Sequence, residues 1–267
     1  MNMKVQQFII LVSFFAITSQ VLAATLEVPE KYSTITAAII SSKKNDTVLV
    51  APGIYYEQIF ISPEVTVLSR SLFKAQLNGG GKGTVVTLGN NAAINGFDIR
   101  NGTIGVFTTA TGVAITQCRI TNNQQTGITC VGNLPKIEDN LIVFNRGSGI
   151  QGWDARTTNA SINHNTIAYN NNHGISVGGN SSIILENNII AYNSQFGLKP
   201  SEESVRVQMI NNSFYQNAKF ADVLPAENFS LNPMFINAQQ LNLMLDPNSK
   251  CIGRAADNLN IGARIIY

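Results

Sequence analysis

Apolar and polar residues alternate in short runs along most of the chain, as in Thr47-Val-Leu-Val50, Val65-Thr-Val-Leu68, Ala-Ser-Ile162-Asn-His-Asn165 and Gly174-Ile-Ser-Val177. Alternation with β-branched residues on one side is the pattern of a strand with one buried face. The longer apolar spacing of an amphipathic helix is missing from these runs. The one helical stretch is Ser33-Thr-Ile-Thr-Ala-Ala-Ile-Ile40, where Ser33 is placed to cap a short helix carrying Ile35, Ile39 and Ile40 on one side.

The strand runs recur. Ile-Asn-Gly-Phe97, Ile-Thr-Gln-Cys118, Ile-Glu-Asp-Asn140, Ile-Asn-His-Asn165, Leu-Glu-Asn-Asn188 and Met-Ile-Asn-Asn212 occupy equivalent positions, spaced by 21, 22, 25, 23 and 24 residues. An Asn follows five residues later (Asn123, Asn145, Asn170, Asn193, Asn217), then Gly with an aliphatic residue (Gly127, Gly149, Gly174, Gly197). A period of this length means stacked supersecondary units. Three short strands with Asn and Gly corners describe one coil of a parallel β-helix, whereas a leucine-rich repeat would need Leu-rich strands and a helix. Asn tolerates the left-handed conformation at a corner, and stacked amides can bond along the axis. Gly permits either positive φ or a backbone too crowded for a Cβ. These columns build coils and carry no expectation of catalysis.

The expected fold is therefore all-β, a parallel β-helix whose short N-terminal helix covers the open end of the core. Regular coils run from about 92 to 217. Residues 218–267 are expected to close the C-terminal end and hide its unpaired edge. No Pro-, Gly- or Ser-rich linker interrupts the chain, so residues 24–267 are read as one domain and the protein as a monomer.

Composition narrows the setting. Of 267 residues 44% are hydrophobic and only 13% charged, and the net charge of +2 gives no bulk attraction to nucleic acid or acidic membranes. Lys4 precedes the apolar stretch Phe8–Ile17, and Val21-Leu-Ala23 supplies small residues at a cleavage point, so residues 1–23 read as a signal peptide. The expected location is periplasmic or secreted, with no membrane insertion after cleavage. Cys118 and Cys130 both fall on inward positions, either as buried thiols or as a Cys118–Cys130 bridge.

The sequence resembles the pectate-lyase-like superfamily of right-handed parallel β-helices. The resemblance rests on the lid helix followed by Val48-Leu-Val-Ala-Pro-Gly-Ile-Tyr-Tyr-Glu57, on the Asn and Gly columns, and on the closing Asn232-Pro-Met-Phe-Ile and Ile261-Gly-Ala263. The Gly53-x-Tyr55-x-Glu57 turn is similar to one in pectin methylesterases, but their Gln-Asp and Asp catalytic motifs and their Gly-Arg-Pro-Trp segment have no counterpart. Gly152-Trp-Asp-Ala-Arg156 with His173-Gly174-Ile175 is similar to an Asp-Pro-His-Asp-Arg run followed one coil later by His-Gly-Ile in uronate epimerases of this fold. Arg156, His173, Gly174 and Ile175 match, while the His of the first run is replaced.

Chemistry is expected where the period stretches to 25, in a turn from Trp153 to Asn159. His173 and Lys199 occupy the following coils, with Lys199 in register with Gln151 and Ser176. Abstracting the proton beside a uronate carboxylate needs a base and cations that neutralise developing charge. Lys199 or His173 would be the base, Arg156 the carboxylate clamp, Trp153 a stacking platform, Asp154 an orienting or calcium-binding group, and Gln151 a further substrate contact. Calcium is weakly indicated, since no cluster of three carboxylates lies on neighbouring coils, and no metal ligands are assigned. The leading expectation is an exported protein acting on polysaccharide by lyase- or epimerase-type chemistry on a uronate-containing glycan. The alternatives are a non-catalytic glycan-binding or structural β-helix, and a hydrolase using Asp154 with Glu186 or Glu202.

Overall fold

The computed structural model describes residues 23–218, 225–255 and 258–265. Residues 1–22, which hold most of the expected signal peptide, lie outside them. The chain winds into a β-solenoid in which each coil lays one strand on each of three parallel sheets. The first sheet has nine strands, from Thr25–Val28 to Arg206–Ile210; the second has eight, from Gly53–Tyr55 to Ser213–Tyr215; the third has seven, from Ile59–Ile61 to Leu198–Pro200. Strands from successive coils pair in register, Ile142 with Ile167 and Ile167 with Ile190, so each aliphatic column fills the core as a stack.

Two amide ladders hold the corners. Asn140, Asn165, Asn188 and Asn212 lie between the first and second sheets. Asn165 donates its backbone N–H and its Nδ2 to Asn188 Oδ1 (2.8 and 3.1 Å), and Asn188 repeats this to Asn212. Asn145, Asn170, Asn193 and Asn217 do the same between the second and third sheets. The ladder asparagines are not the left-handed residues, contrary to the expectation from the corner argument. Positive φ belongs to the residue just before each, as at Asp139, His164 and Asn187, and at Phe144, Tyr169 and Tyr192. A left-handed residue turns the chain, and the Asn that follows can then aim its amide inward along the axis. The aromatic members offset their conformational cost by stacking, Phe144 on Tyr169 at 5.0 Å and Tyr169 on Tyr192 at 4.9 Å. For Gly149 and Gly174 crowding is the reason: a Cβ at Gly149 would lie 2.7 Å from the Gly174 carbonyl.

The helix Ile35–Ser41 covers the N-terminal opening, but Thr34 rather than Ser33 caps it. Ile35, Ala38 and Ile39 face the core while Ile40 is 78% exposed, because only the positions three and four apart share a face. Glu57 anchors the same end, accepting from the backbone of Ile35 and Thr36 at 3.0 and 2.9 Å. All three cysteines are free and buried, so the Cys118–Cys130 bridge is not formed.

The C-terminal segment departs from the expected cap. Only residues 227–231 extend the stack, where Asn228 continues the first amide ladder and Phe229 bridges Ser213. Of the remaining described residues, 235–245 and those around Cys251 and Ile261 lie along the outside of the second sheet. A hairpin of Phe235–Asn237 and Asn242–Leu245 packs Leu243 on Leu141, Val143 and Ala168, and Cys251 and Ile261 cover Ile189 and Ala191. The outward positions of those strands are apolar, and leaving them in water would waste about 25 cal/mol for each Å² of apolar surface.

Candidate functional site

The sequence-predicted residues gather on the third sheet, at its two ends. At the end where the strands begin, Thr129, Gln151, Ser176 and Lys199 form one outward column in strict register. Gln151 is only 9% exposed and donates Nε2 to Ser176 Oγ at 3.3 Å, and Ser176 Oγ lies 3.4 Å from Ser201 Oγ. His173 precedes this column at the corner. Its Nδ1 accepts the Phe196 backbone N–H at 3.2 Å, its ring meets the Phe196 ring at 5.7 Å, and Lys199 Nζ sits 5.7 Å above the same Phe196 ring. Burial, and then the nearby Lys199 ammonium, hold the His173 pKa below the usual histidine value.

Trp153, Asp154 and Arg156 sit toward the other end. The expected turn from Trp153 to Asn159 is shorter than anticipated: the strand Ile150–Ala155 runs on through a bulge between Gly152 and Ala155. Trp153 O accepts from Gly132 N and Arg156 N donates to Gly132 O, tying the segment to the preceding coil. The bulge gives Asp154 a φ of +47°, and Trp153, on the outward parity of Gln151, is 54% exposed. On the next coil Gly179 leaves room for the bulge: a Cβ there, at φ +96°, would lie 2.4 Å from the Ala155 backbone. Glu202, one coil further, accepts from Gly179 N at 2.9 Å.

His173 and Lys199 thus come together around Phe196, Gln151 stands two coils from Lys199 in the same column, and Trp153 lies on the same face. Arg156 stands roughly 15 Å from the Gln151 position by strand rise, in an open cleft of about 500 Å³ shared with Thr158, Asn180, Ser181, Ser182 and Arg206. Phe196, Ser201, Ser181 and Arg206 were not singled out from the sequence. Counting one period on from Ser182 reaches Arg206, its register partner, so the repeat itself held the signal. Among the described residues no three His, Cys, Asp or Glu side chains come together.

A family model described as "Periplasmic copper-binding protein (NosD)" matches residues 39–231. The chain belongs to the NosD family. That description places the family in the periplasm, in keeping with the expected export, and among the described residues no helix is long and apolar enough to cross a membrane. No curated protein matches the chain. Among solved structures this NosD-family chain is similar to a pectin methylesterase from Aspergillus niger, at 12% identity over 78% of this chain and 84% of that one, with a TM-score of 0.39. It is also similar to the PL6 family alginate lyase AlyGC, at 10% identity over 90% of this chain and 58% of that one, with a TM-score of 0.31.

Proposed function

We propose that this periplasmic β-helix binds an acidic, uronate-containing polysaccharide along the outer face of its third sheet. The observation that carries the reading is the register of that face. Gln151, Ser176, Ser201 and Lys199 lie side by side over three coils, and Trp153 projects from the bulge beside them. Coils about 4.8 Å apart offer an extended chain repeated hydrogen-bonding and stacking contacts. An exposed indole can stack on a sugar ring, while Lys199 and Arg156 supply cations at the two ends.

Lyase or epimerase chemistry is the second reading, favoured by the meeting of Lys199 with His173. The His173 ring is poorly suited to be its base, because Nδ1 accepts from Phe196 and the neutral ring presents Nε2–H, a donor. Lys199 would then have to take the proton.

The family description names copper, which prefers thiolate, thioether or imidazole donors. Cys118, Cys130 and His164 do not fit such a centre. Burial pushes the Cys118 and Cys130 thiols up to about 12, and His164 is 2% exposed with Nδ1 facing Gly262 O.

Retention of the purified protein on gels containing polygalacturonate or alginate, with absorbance of unsaturated products followed in parallel, tests both readings. Retardation lost in Trp153→Ala and Lys199→Ala supports the site. Migration unchanged by either polymer overturns the binding reading, and product formation abolished by Lys199→Ala would establish the lyase reading.

A further inference from the structure

We propose that the corner between the third and first sheets is an oxyanion site built by Arg156 and Arg206. Three successive coils contribute to it: Arg156 and Thr158 from one, Asn180, Ser181 and Ser182 from the next, and Arg206 from the third. The coils are tied at this corner, Ser182 N to Thr157 O at 3.0 Å and Arg206 N to Ser181 O at 2.9 Å, so the two arginines are carried two coils apart on a fixed frame.

Charge and hydrogen bonding both point to an anion. Arg70, Arg100, Arg119 and Arg264 each have a carboxylate partner. Among the described residues neither Arg156 nor Arg206 has one, and no carboxylate lines the cleft. Asp154, two residues from Arg156, makes no ion pair with it. Two like charges therefore face one opening without neutralisation. Ser181 lines the same cleft, is 4% exposed, and its Oγ has no hydrogen-bond partner. Buried hydroxyls are ordinarily satisfied, so an unpartnered one in a cationic cleft calls for an acceptor. A planar or tetrahedral oxyanion supplies it while its oxygens also accept from the guanidinium N–H groups of the two arginines. A uronate carboxylate and a sulfate or phosphate group share this chemistry. The site rests on its own lining residues, and a uronate ligand would link it to the polysaccharide reading.

Calorimetric titration of the full chain at constant ionic strength with sodium sulfate, sodium galacturonate and neutral galactose tests this. Saturable binding of sulfate or galacturonate, with none of galactose, is expected. Arg206→Gln and Arg156→Gln should weaken it at least tenfold and Ser181→Ala several-fold, while Lys44→Ala, at an exposed lysine far from the corner, leaves it within a factor of two. Arg206→Lys, which keeps the charge and removes the fork, should fall between, and thermal unfolding confirms that each variant is folded. Which anion binds tighter names the ligand source, and either order supports the site. Heats of dilution alone for both anions, or an equal loss in Lys44→Ala, would overturn it. Anion binding without polymer retention would sink the polysaccharide reading and leave this site standing. Polymer retention without anion binding would do the reverse.

Discussion

The backbone N–H of Phe196 donates to Nδ1 of His173 at 3.2 Å, one coil apart, and this sets which ring nitrogen carries the proton. A neutral His173 keeps its proton on Nε2, and protonating Nδ1 would forfeit the bond. Burial and the Lys199 ammonium oppose the charged ring as well.

The first prediction is a titration. In the folded protein His173 should titrate below the ordinary value of about 6.5 and show the Nε2–H tautomer. Lys199→Ala should move the titration upward. A depressed folded pKa means that the unfolded chain takes up a proton first as pH falls. The contribution of His173 to stability is thus present above the unfolded pKa and is lost as pH drops through the folded one. Ring nitrogen NMR against pH is the measurement, and a midpoint above 6.5 or an Nδ1–H ring would contradict it.

The second concerns the ladders. Asn165 donates to Ile137 O, Asn163 O and Asn188 Oδ1, and it accepts from the backbone and side chain of Asn140. Asn165→Ala strips all of these at a fully buried position, leaving donors and acceptors unsatisfied. A loss of about 3 kcal/mol or more in unfolding free energy is expected. Chemical denaturation would show it, and a change below about 1 kcal/mol would mean that the ladder is not stabilising.

The period of the Asn and Gly columns made the coil, the strand order and the inward parity of Cys118 and Cys130 legible in the sequence, because stacking repeats the same local demand every coil. What spacing could not show was any contact made across the repeat. The C-terminal hairpin packs on the second sheet, and nothing in Phe235–Leu245 marks that sheet's outer face as its target. Glu57 is similar, matching a family turn in sequence while its carboxylate holds the start of the lid helix. At the site, register placed Lys199 beside Ser176 correctly. The bulge between Gly152 and Ala155 shortened the expected turn, and the close approach that accommodates it, at Gly179 one coil away, is a contact across the repeat.

Thiol reactivity gives the third prediction. Cys118 and Cys130 are buried, with thiol pKa values pushed up to about 12, and burial raises that of Cys251 too. The thiolate is the reactive form, so a disulfide reagent should label none of the three in the native protein and all three after denaturation. Fast labelling of any of them in the native state would show that the corresponding core opens readily.

Arg264 gives the last. Its guanidinium clasps Asp139 through Nε to Oδ1 at 2.8 Å and Nη2 to Oδ2 at 2.7 Å, and its backbone N–H donates to Asp139 Oδ1 as well. Together with the bond from Ala263 N to Thr166 Oγ1, this fastens residues 263 and 264 across two adjacent coils of the second sheet. Arg264→Met keeps the apolar stem and removes the fork, leaving the largely buried Asp139 without its charge partner. Bidentate pairs to a carboxylate are worth more than exposed single contacts, so a loss of about 1–3 kcal/mol is expected. The loss should also be local. Hydrogen exchange should accelerate in the C-terminal segment and the amides it covers on the second sheet, while the ladder at Asn145 and Asn170 stays protected. Uniform acceleration through the solenoid would show instead that the C-terminal segment and the coils unfold as one cooperative unit.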